Sequence, residues 1–108
     1  MRILGYDYSL IEDADQDLIG GFGRFHAAKQ IIQIASSLAP QQRCSTVLHE
    51  ILEAINYHLQ LSLEHQVLMS LEAALFDALT QNGVDLWPLT RELDAIREPK
   101  KGEVDGIQ

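Results

Sequence analysis

Residues 4–10 alternate between apolar positions and small or polar positions. The apolar members are Leu4, Tyr6, Tyr8 and Leu10. A period of two predicts a β-strand over residues 2–11, and Gly5 within it leaves two alternatives open, a tight hairpin or a bulge. The acidic run over residues 12–17 has no periodicity, and we interpret it as a solvated loop.

A second pair of strands is predicted over residues 22–26 and 29–35. Ile32 and Ile34 share one face of the later strand, and Gln33 lies on the opposite face. The glycine-rich stretch before this pair matches neither a dinucleotide fingerprint nor a Walker loop. We therefore interpret its glycines as residues that let strands pack closely.

From Pro40 onward the apolar period changes to three and four residues. The stripe consists of Leu48, Ile51, Leu52, Ile55 and Leu59. It predicts a helix from Pro40, which suits a first helical turn, to about Leu59. Cys44 in this helix is interpreted as a structural thiol.

A second helix is predicted to begin after Ser62 as its N-cap and to stop at Asn82 and Gly83. Its predicted inward stripe is Val67, Leu68, Leu71, Ala74, Leu75 and Leu79. A third, shorter helix is predicted over residues 86–96, docked by Trp87, Leu89, Leu93 and Ile96.

The order of elements, strands first and then helices, predicts an α+β domain. We expect a small antiparallel sheet of about three strands, with two to three helices packed on one face. The domain is predicted to cover residues 1–97. Residues 98–108 are rich in charge, lysine and glycine, which is typical of a disordered tail.

The composition excludes several classes of partner. A net charge of −8 with only eight lysines and arginines argues against nucleic-acid binding. No apolar run approaches the roughly 20 residues of a membrane span. The single cysteine and the lack of an apolar N-terminal segment indicate a cytoplasmic protein. A protein or peptide, or a second copy of the chain, is the expected partner.

Candidate chemistry is concentrated in the first predicted helix. His49 and Glu53 are four residues apart and stack on successive turns. In zinc peptidases the pattern His-Glu-x-x-His supplies two metal ligands, and the glutamate between them is the general base. Here Glu50 follows His49, and Glu53 occupies the fifth position. We therefore interpret Glu50 as the candidate base and the other two residues as candidate ligands.

A third ligand is expected from the second helix, where Glu64 begins the inward stripe four residues before Leu68. A carboxylate facing a core is costly unless it is paired or bound to a metal. A glutamate that caps the helix and reaches water is the open alternative. Glu72 is interpreted as solvated. The remaining histidines, His26, His58 and His65, are interpreted as surface or supporting residues. His65 adjoins Glu64 and is also a candidate to take its place as a ligand.

Residues 46–55, with the sequence TVLHEILEAI, resemble the TLLHEILHAI helix of small zincin-like metallopeptidase proteins of phages and bacteria, distant relatives of the ImmA/IrrE class. The resemblance covers roughly residues 2–84 at lower specificity. It implies a minimal zincin core in which His49 binds zinc, Glu50 is the general base and Glu64 is the third, acidic ligand. A site with two carboxylates and one imidazole also suits divalent metals harder than zinc.

Three hypotheses follow from these residues. The first is a metal-dependent peptidase, and the second is a divergent, inactive relative that binds a protein partner on the same scaffold. The third is a structural or oligomeric domain in which His49, Glu53 and Glu64 form a polar cluster. The glutamate at the fifth motif position favours a divergent member with a weakened metal site over an active peptidase.

Overall fold

The computed structural model describes residues 1–14 and 21–93, which form a small α+β fold as predicted. In chain order, the strands are β1 (Arg2–Ile3), β2 (Tyr6–Asp7), β3 (Ser9–Asp13), β4 (Gly23–His26) and β5 (Ile31–Ala35). They are followed by helices α1 (Pro40–Leu59) and α2 (His65–Gln81) and a 3-10 helix (Trp87–Thr90). Both predicted α-helices are therefore present.

The predicted N-terminal strand is divided into three short strands. β1 and β2 pair as an antiparallel hairpin, which confirms the hairpin alternative for Gly5. Leu4 and Gly5 make the turn with φ of 52° and 86°. Glycine suits this left-handed conformation because it has no Cβ to clash with the backbone.

The larger sheet is mixed and has the strand order β3-β5-β4. β4 and β5 pair in antiparallel fashion, with Phe25 opposite Ile32, as the sequence predicted. β3 instead runs parallel to β5, with Leu10 opposite Ile32. The expectation of a wholly antiparallel sheet is therefore wrong for this pair. β3 does not pair with β4, the next strand in the chain, but with the other edge of β5, where it runs in the same direction as β5.

The acidic stretch after Ile11 is not a solvated loop at its start. Glu12 and Asp13 belong to β3, and both are half-buried. Arg43 of α1 lies 3.5 Å from Glu12, and the Gln33 amide donates a hydrogen bond of 2.6 Å to Asp13. These partners offset the cost of taking the carboxylates out of water. Residues 15–17 of the stretch lie outside the described residues.

Helix α1 is the element on which the rest of the fold packs, and its bounds match the prediction. Val47 and Ala54 are fully buried, and Cys44 is buried as expected, whereas Leu59 is exposed. The helix contacts β1, β4, β5, α2 and the 3-10 helix. The core cluster comprises Ile3, Tyr8, Leu10, Ile32, Ile34, Val47, Ala54 and Leu93.

Helix α2 packs on α1 with a face that matches the prediction only in part. Leu68 is buried, but Val67, Leu71 and Leu75 of the predicted inward stripe are 37–42% exposed. Apolar residues cover more than one face of this helix, so periodicity alone could not select the buried face. The helix ends at the predicted stop, where Gly83 has a φ of 81°.

The third predicted helix is realised as the 3-10 helix and the residues directly after it. Leu93 is buried and Leu89 packs against the core, as expected, whereas Trp87 is exposed. Ile96 and the predicted tail over residues 98–108 lie outside the described residues. Within the described part of the chain, neither α-helix combines the length and apolar character needed to cross a bilayer.

Candidate metal centre

The two candidate ligands of α1 lie together, as their spacing predicted. The Nε2 atom of His49 is 3.3 Å from Oε2 of Glu53. Both side chains are largely withdrawn from solvent, with exposed fractions of 13% and 26%. A helical turn therefore presents one imidazole nitrogen and one carboxylate oxygen to the same small volume.

Helix α2 completes the cluster with His65. Its Nδ1 atom lies 3.2 Å from Oε2 of Glu53, and its ring centroid is 5.2 Å from that of His49. One candidate ligand atom from each of the three residues can be chosen so that all lie within 4.8 Å of one another. We use the name metal cluster for these three candidate ligand side chains, His49, Glu53 and His65.

Glu64, the predicted third ligand, is not part of the metal cluster. It is the N-cap of α2, with an extended backbone (φ −72°, ψ 155°), and its side chain is exposed. The helix begins one residue later, so the side chain that faces Glu53 belongs to His65. The predicted cap at Ser62 is also wrong, because Ser62 lies in the connection with a φ of 58°.

Asn56 holds in place the connection between α1 and α2, and this connection positions His65. Its Oδ1 accepts a hydrogen bond of 3.0 Å from the Leu63 backbone N–H, and its Nδ2 donates one of 3.3 Å to the Leu63 carbonyl. Gln60 ends α1 in the left-handed conformation, which turns the chain back toward Asn56. The double contact ties α1 to the residue two positions before His65.

Glu50 lies beside the metal cluster in a much drier environment. It is only 5% exposed, and no group of the described residues donates a hydrogen bond to its carboxyl. Burial raises the pKa of Glu50 to about 8, with a smaller contribution from the nearby Glu53 carboxylate. The carboxyl is therefore predominantly protonated at neutral pH.

Gly23 allows β4 to approach α1 closely at this point. A Cβ atom at Gly23 would lie 2.8 Å from Cγ2 of Thr46, 3.1 Å from the Gln33 carbonyl oxygen and 3.2 Å from Oε2 of Glu50. Distances this short leave no room for a side chain. The close strand packing predicted for these glycines is found at Gly23 against Gln33 of β5, but its closest neighbour is on a helix, which the prediction did not include.

The metal cluster lies in an open cleft of about 550 Å³ between β4, α1 and α2. Residues 21–25 form one wall, and β4 is an edge strand of the three-stranded sheet. Met69 and Phe22 are exposed and line the same cleft. The cleft thus combines a polar group of potential ligands with an extended backbone and apolar margins.

Glu72 is half-buried, which the prediction of a solvated side chain did not anticipate. The Ser45 hydroxyl donates a hydrogen bond to Oε2 of Glu72. The other carboxylate oxygen, Oε1, lies 3.9 Å from Nδ1 of His49. Its position in the sequence gave no sign of these contacts, because they join two helices.

The donor set of the metal cluster fits a divalent cation of the zinc type. Two imidazoles and one carboxylate are the protein ligands of many catalytic zinc sites, in which a fourth position stays open. The sequence had indicated one imidazole and two carboxylates. Because the third candidate ligand is His65 and not Glu64, the site has two imidazoles and one carboxylate instead. His65 is 67% exposed, so the cluster is reached directly from solvent.

The other two histidines have different environments. A hydrogen bond of 2.5 Å joins Nε2 of His26 to the Gln33 side-chain oxygen. His58 is hydrogen-bonded to the buried Tyr8 hydroxyl and stacks on Tyr6 with ring centroids 4.0 Å apart. Both histidines lie outside the metal cluster, as the interpretation of them as surface or supporting residues implies.

Comparison with known proteins adds no information about what this arrangement of residues does. The resemblance of residues 46–55 to a zincin-like helix rests on the sequence motif, and the metal cluster rests on the described contacts. No family model matches the chain, and neither a curated protein nor a solved structure shows significant similarity to it.

Proposed function

We propose that this protein is a zincin-like metal-dependent peptidase, with a divalent cation held by His49, Glu53 and His65. The observation that supports it is the convergence of three ligand atoms within 4.8 Å in an open cleft. Zinc is the metal that this donor set favours. We also propose that the protein acts in the cytoplasm, which its single, buried cysteine supports.

The metal ligands of this proposal have separate structural supports. His49 and Glu53 are held by one helical turn, whereas His65 depends on the connection secured by Asn56. When bound, the cation would act as a Lewis acid that polarises a carbonyl group and makes water more acidic.

Glu50 is the proposed general acid and base. Its buried carboxyl follows His49 in the chain and borders the same cleft. Because burial raises its pKa to about 8, the group can both release and accept a proton near neutral pH. A carboxylate with an ordinary pKa would be a weaker base under the same conditions.

A peptide is the proposed substrate class because of the wall formed by β4. An exposed strand edge can pair with an extended peptide through backbone hydrogen bonds. Phe22 and Met69 at the cleft margins would contact an apolar side chain of such a peptide. The net charge of −8 supports the exclusion of nucleic acid as a substrate.

The test is reconstitution of the full chain with zinc, manganese or iron, followed by metal analysis and cleavage of an unstructured protein such as casein. We expect one ion per chain and slow proteolysis. Glu50→Gln should keep the ion and lose proteolysis, and His65→Gln should lose both. Glu64→Gln is the matched control and should retain both. Absence of a bound ion after all three reconstitutions contradicts the proposal.

A second candidate function is a non-catalytic domain that binds a protein partner. The observation that favours it is the exposed apolar strip on α2, formed by Val67, Leu71 and Leu75. A second copy of the chain is one such partner, because the strip carries no charge that would repel it. This candidate predicts a bound metal without proteolysis, and association that Leu71→Ser with Leu75→Ser abolishes and Glu50→Gln leaves intact.

A further inference from the structure

We propose that Glu72 is a positioning residue that holds the His49 imidazole at the metal site, and that Ser45 in turn holds Glu72. This inference rests on the proposed metal cluster. It assigns a role to a carboxylate on α2 that is not itself a member of that cluster.

The two ring nitrogens of His49 face different partners. Nε2 lies 3.3 Å from the Glu53 carboxylate, inside the metal cluster. Nδ1 lies 3.9 Å from Oε1 of Glu72, on the opposite side of the ring. In the proposed arrangement this second pair closes from 3.9 Å to hydrogen-bonding distance when the site binds a cation. Nδ1 would then donate to Glu72, which leaves Nε2 unprotonated and free to bind a cation.

The Glu72 carboxylate is itself held in place. Its side chain is 19% exposed, and its Oε2 accepts a hydrogen bond from the Ser45 hydroxyl. Asp77, the other acidic residue of α2, is exposed and makes no comparable contact with α1. A carboxylate drawn from solvent needs partners of this kind. The contacts therefore distinguish Glu72 from an ordinary surface residue of the same helix.

Ser45 and His49 are four residues apart on α1, so both lie on the side that meets α2. Glu72 bridges them from the second helix. The three residues join the two helices that supply the ligands. Loss of Glu72 would leave the His49 imidazole free to change its orientation, although all three ligands would still be present. Loss of Ser45 would leave the Glu72 carboxylate free to move.

The experiment measures zinc affinity of the full chain by competition with a chromophoric chelator. Glu72→Ala should weaken binding about 10- to 100-fold, the usual effect of removing a group that orients a ligand. Glu72→Gln should recover part of this loss because its amide oxygen can still accept from Nδ1. Ser45→Ala should have a smaller effect in the same direction. Asp77→Asn is the matched control and should bind zinc like the wild type.

Two further readouts separate this role from others. X-ray absorption of the zinc complex should show the same number of nitrogen and oxygen ligands in Glu72→Ala and wild type. One ligand fewer in the variant would make Glu72 a direct ligand and overturn the inference. Unchanged affinity in Glu72→Ala, with the fold retained by circular dichroism, would also overturn it.

The Nδ1–H group of His49 in the zinc complex provides a second structural readout. Proton–nitrogen NMR of this complex should show an Nδ1–H proton that exchanges slowly with water in wild type. Glu72→Ala should lose this protection from exchange, and Asp77→Asn should keep it. If wild type binds no zinc, the proposed function fails, whereas unchanged protection in Glu72→Ala rejects the role of Glu72.

Discussion

The Oε2 atom of Glu53 lies 3.2 Å from Nδ1 of His65, although 12 residues separate the two in the chain. The same oxygen also lies 3.3 Å from the imidazole of His49. A carboxylate between two imidazoles is stabilised by protons on the rings or by a cation shared among all three. We therefore expect the stability of the fold to depend on metal ions.

Zinc should stabilise the folded protein through the metal cluster. A ligand that binds only the folded state adds about 2.7 kcal/mol at a free concentration of 100 times its Kd. For a domain of this size that corresponds to a rise in Tm of about 10 °C or more. Thermal unfolding followed by circular dichroism, with zinc and then with EDTA, measures the effect.

His65→Gln should abolish the zinc-dependent rise in Tm, and Glu64→Gln should retain it. These substitutions affect adjacent residues at the start of α2, so they separate the ligand from the cap. A rise in Tm that persists in His65→Gln would remove this residue from the site.

The metal-free protein should lose stability as the pH rises from about 5 to 8. Burial raises the pKa of Glu50 to about 8, whereas an unfolded glutamate titrates near 4.3. Between these values the folded state binds more protons than the unfolded state, so its stability decreases with pH. The slope contributed by one group is at most about 1.4 kcal/mol per pH unit. Urea unfolding at several pH values in EDTA measures it.

Glu50→Gln should reduce this slope and should be more stable than wild type at pH 8. Its amide has the shape of the protonated carboxyl and carries no charge at any pH. Glu64→Gln, at an exposed position, should keep the wild-type slope. Equal slopes in wild type and Glu50→Gln would show that the buried carboxyl does not titrate in this range.

Replacement of Asn56 should weaken metal binding from a distance. Asn56→Ala removes both hydrogen bonds to the Leu63 backbone and should cost about 1–3 kcal/mol of folding free energy. Because Leu63 precedes His65 by two residues, zinc affinity should also fall. Urea unfolding and chelator competition measure the two effects. Gln66→Ala, on the exposed surface of α2, should change neither, and a full-affinity Asn56→Ala would contradict the role of this contact.

Gly23→Ala should destabilise the packing of β4 on α1. The added Cβ would lie 2.8 Å from Cγ2 of Thr46 and 3.2 Å from Glu50, and overpacking of this kind costs about 1–3 kcal/mol. Thr46→Ser removes the nearest methyl group. The double variant should therefore lose less stability than the sum of the single variants, as measured by urea unfolding. Strict additivity would show that Thr46 does not obstruct the new methyl group.

Local periodicity predicted much of this fold. The bounds of α1, the β4–β5 hairpin and the end of α2 at Gly83 follow from residues close together in the chain. The parallel pairing of β3 with β5 was not predictable in the same way, since it joins segments on either side of another strand. The pairing of Glu12 with Arg43 was missed for the same reason, so the acidic stretch was interpreted as wholly solvated.

The candidate site was predictable only within a single helix. The four-residue spacing of His49 and Glu53 brought them together as expected. The choice between Glu64 and His65 depended on where α2 begins, and a difference of one residue rotates a side chain by about 100° around a helix. The contacts of Ser45, His49 and Glu72 depended on which face of α2 turned inward, and apolar residues cover more than one face of that helix.

The metal cluster is drawn entirely from the hairpin of α1 and α2, whereas the sheet must join Leu10 to Ile32 across a parallel pairing. Contacts between neighbouring helices close rapidly, and parallel strand pairing is among the slower steps available to a chain. A cation captured by this hairpin would therefore meet a binding site early in folding. The strand pairing would then set how fast the native state is reached, whereas the cation would determine how long that state persists.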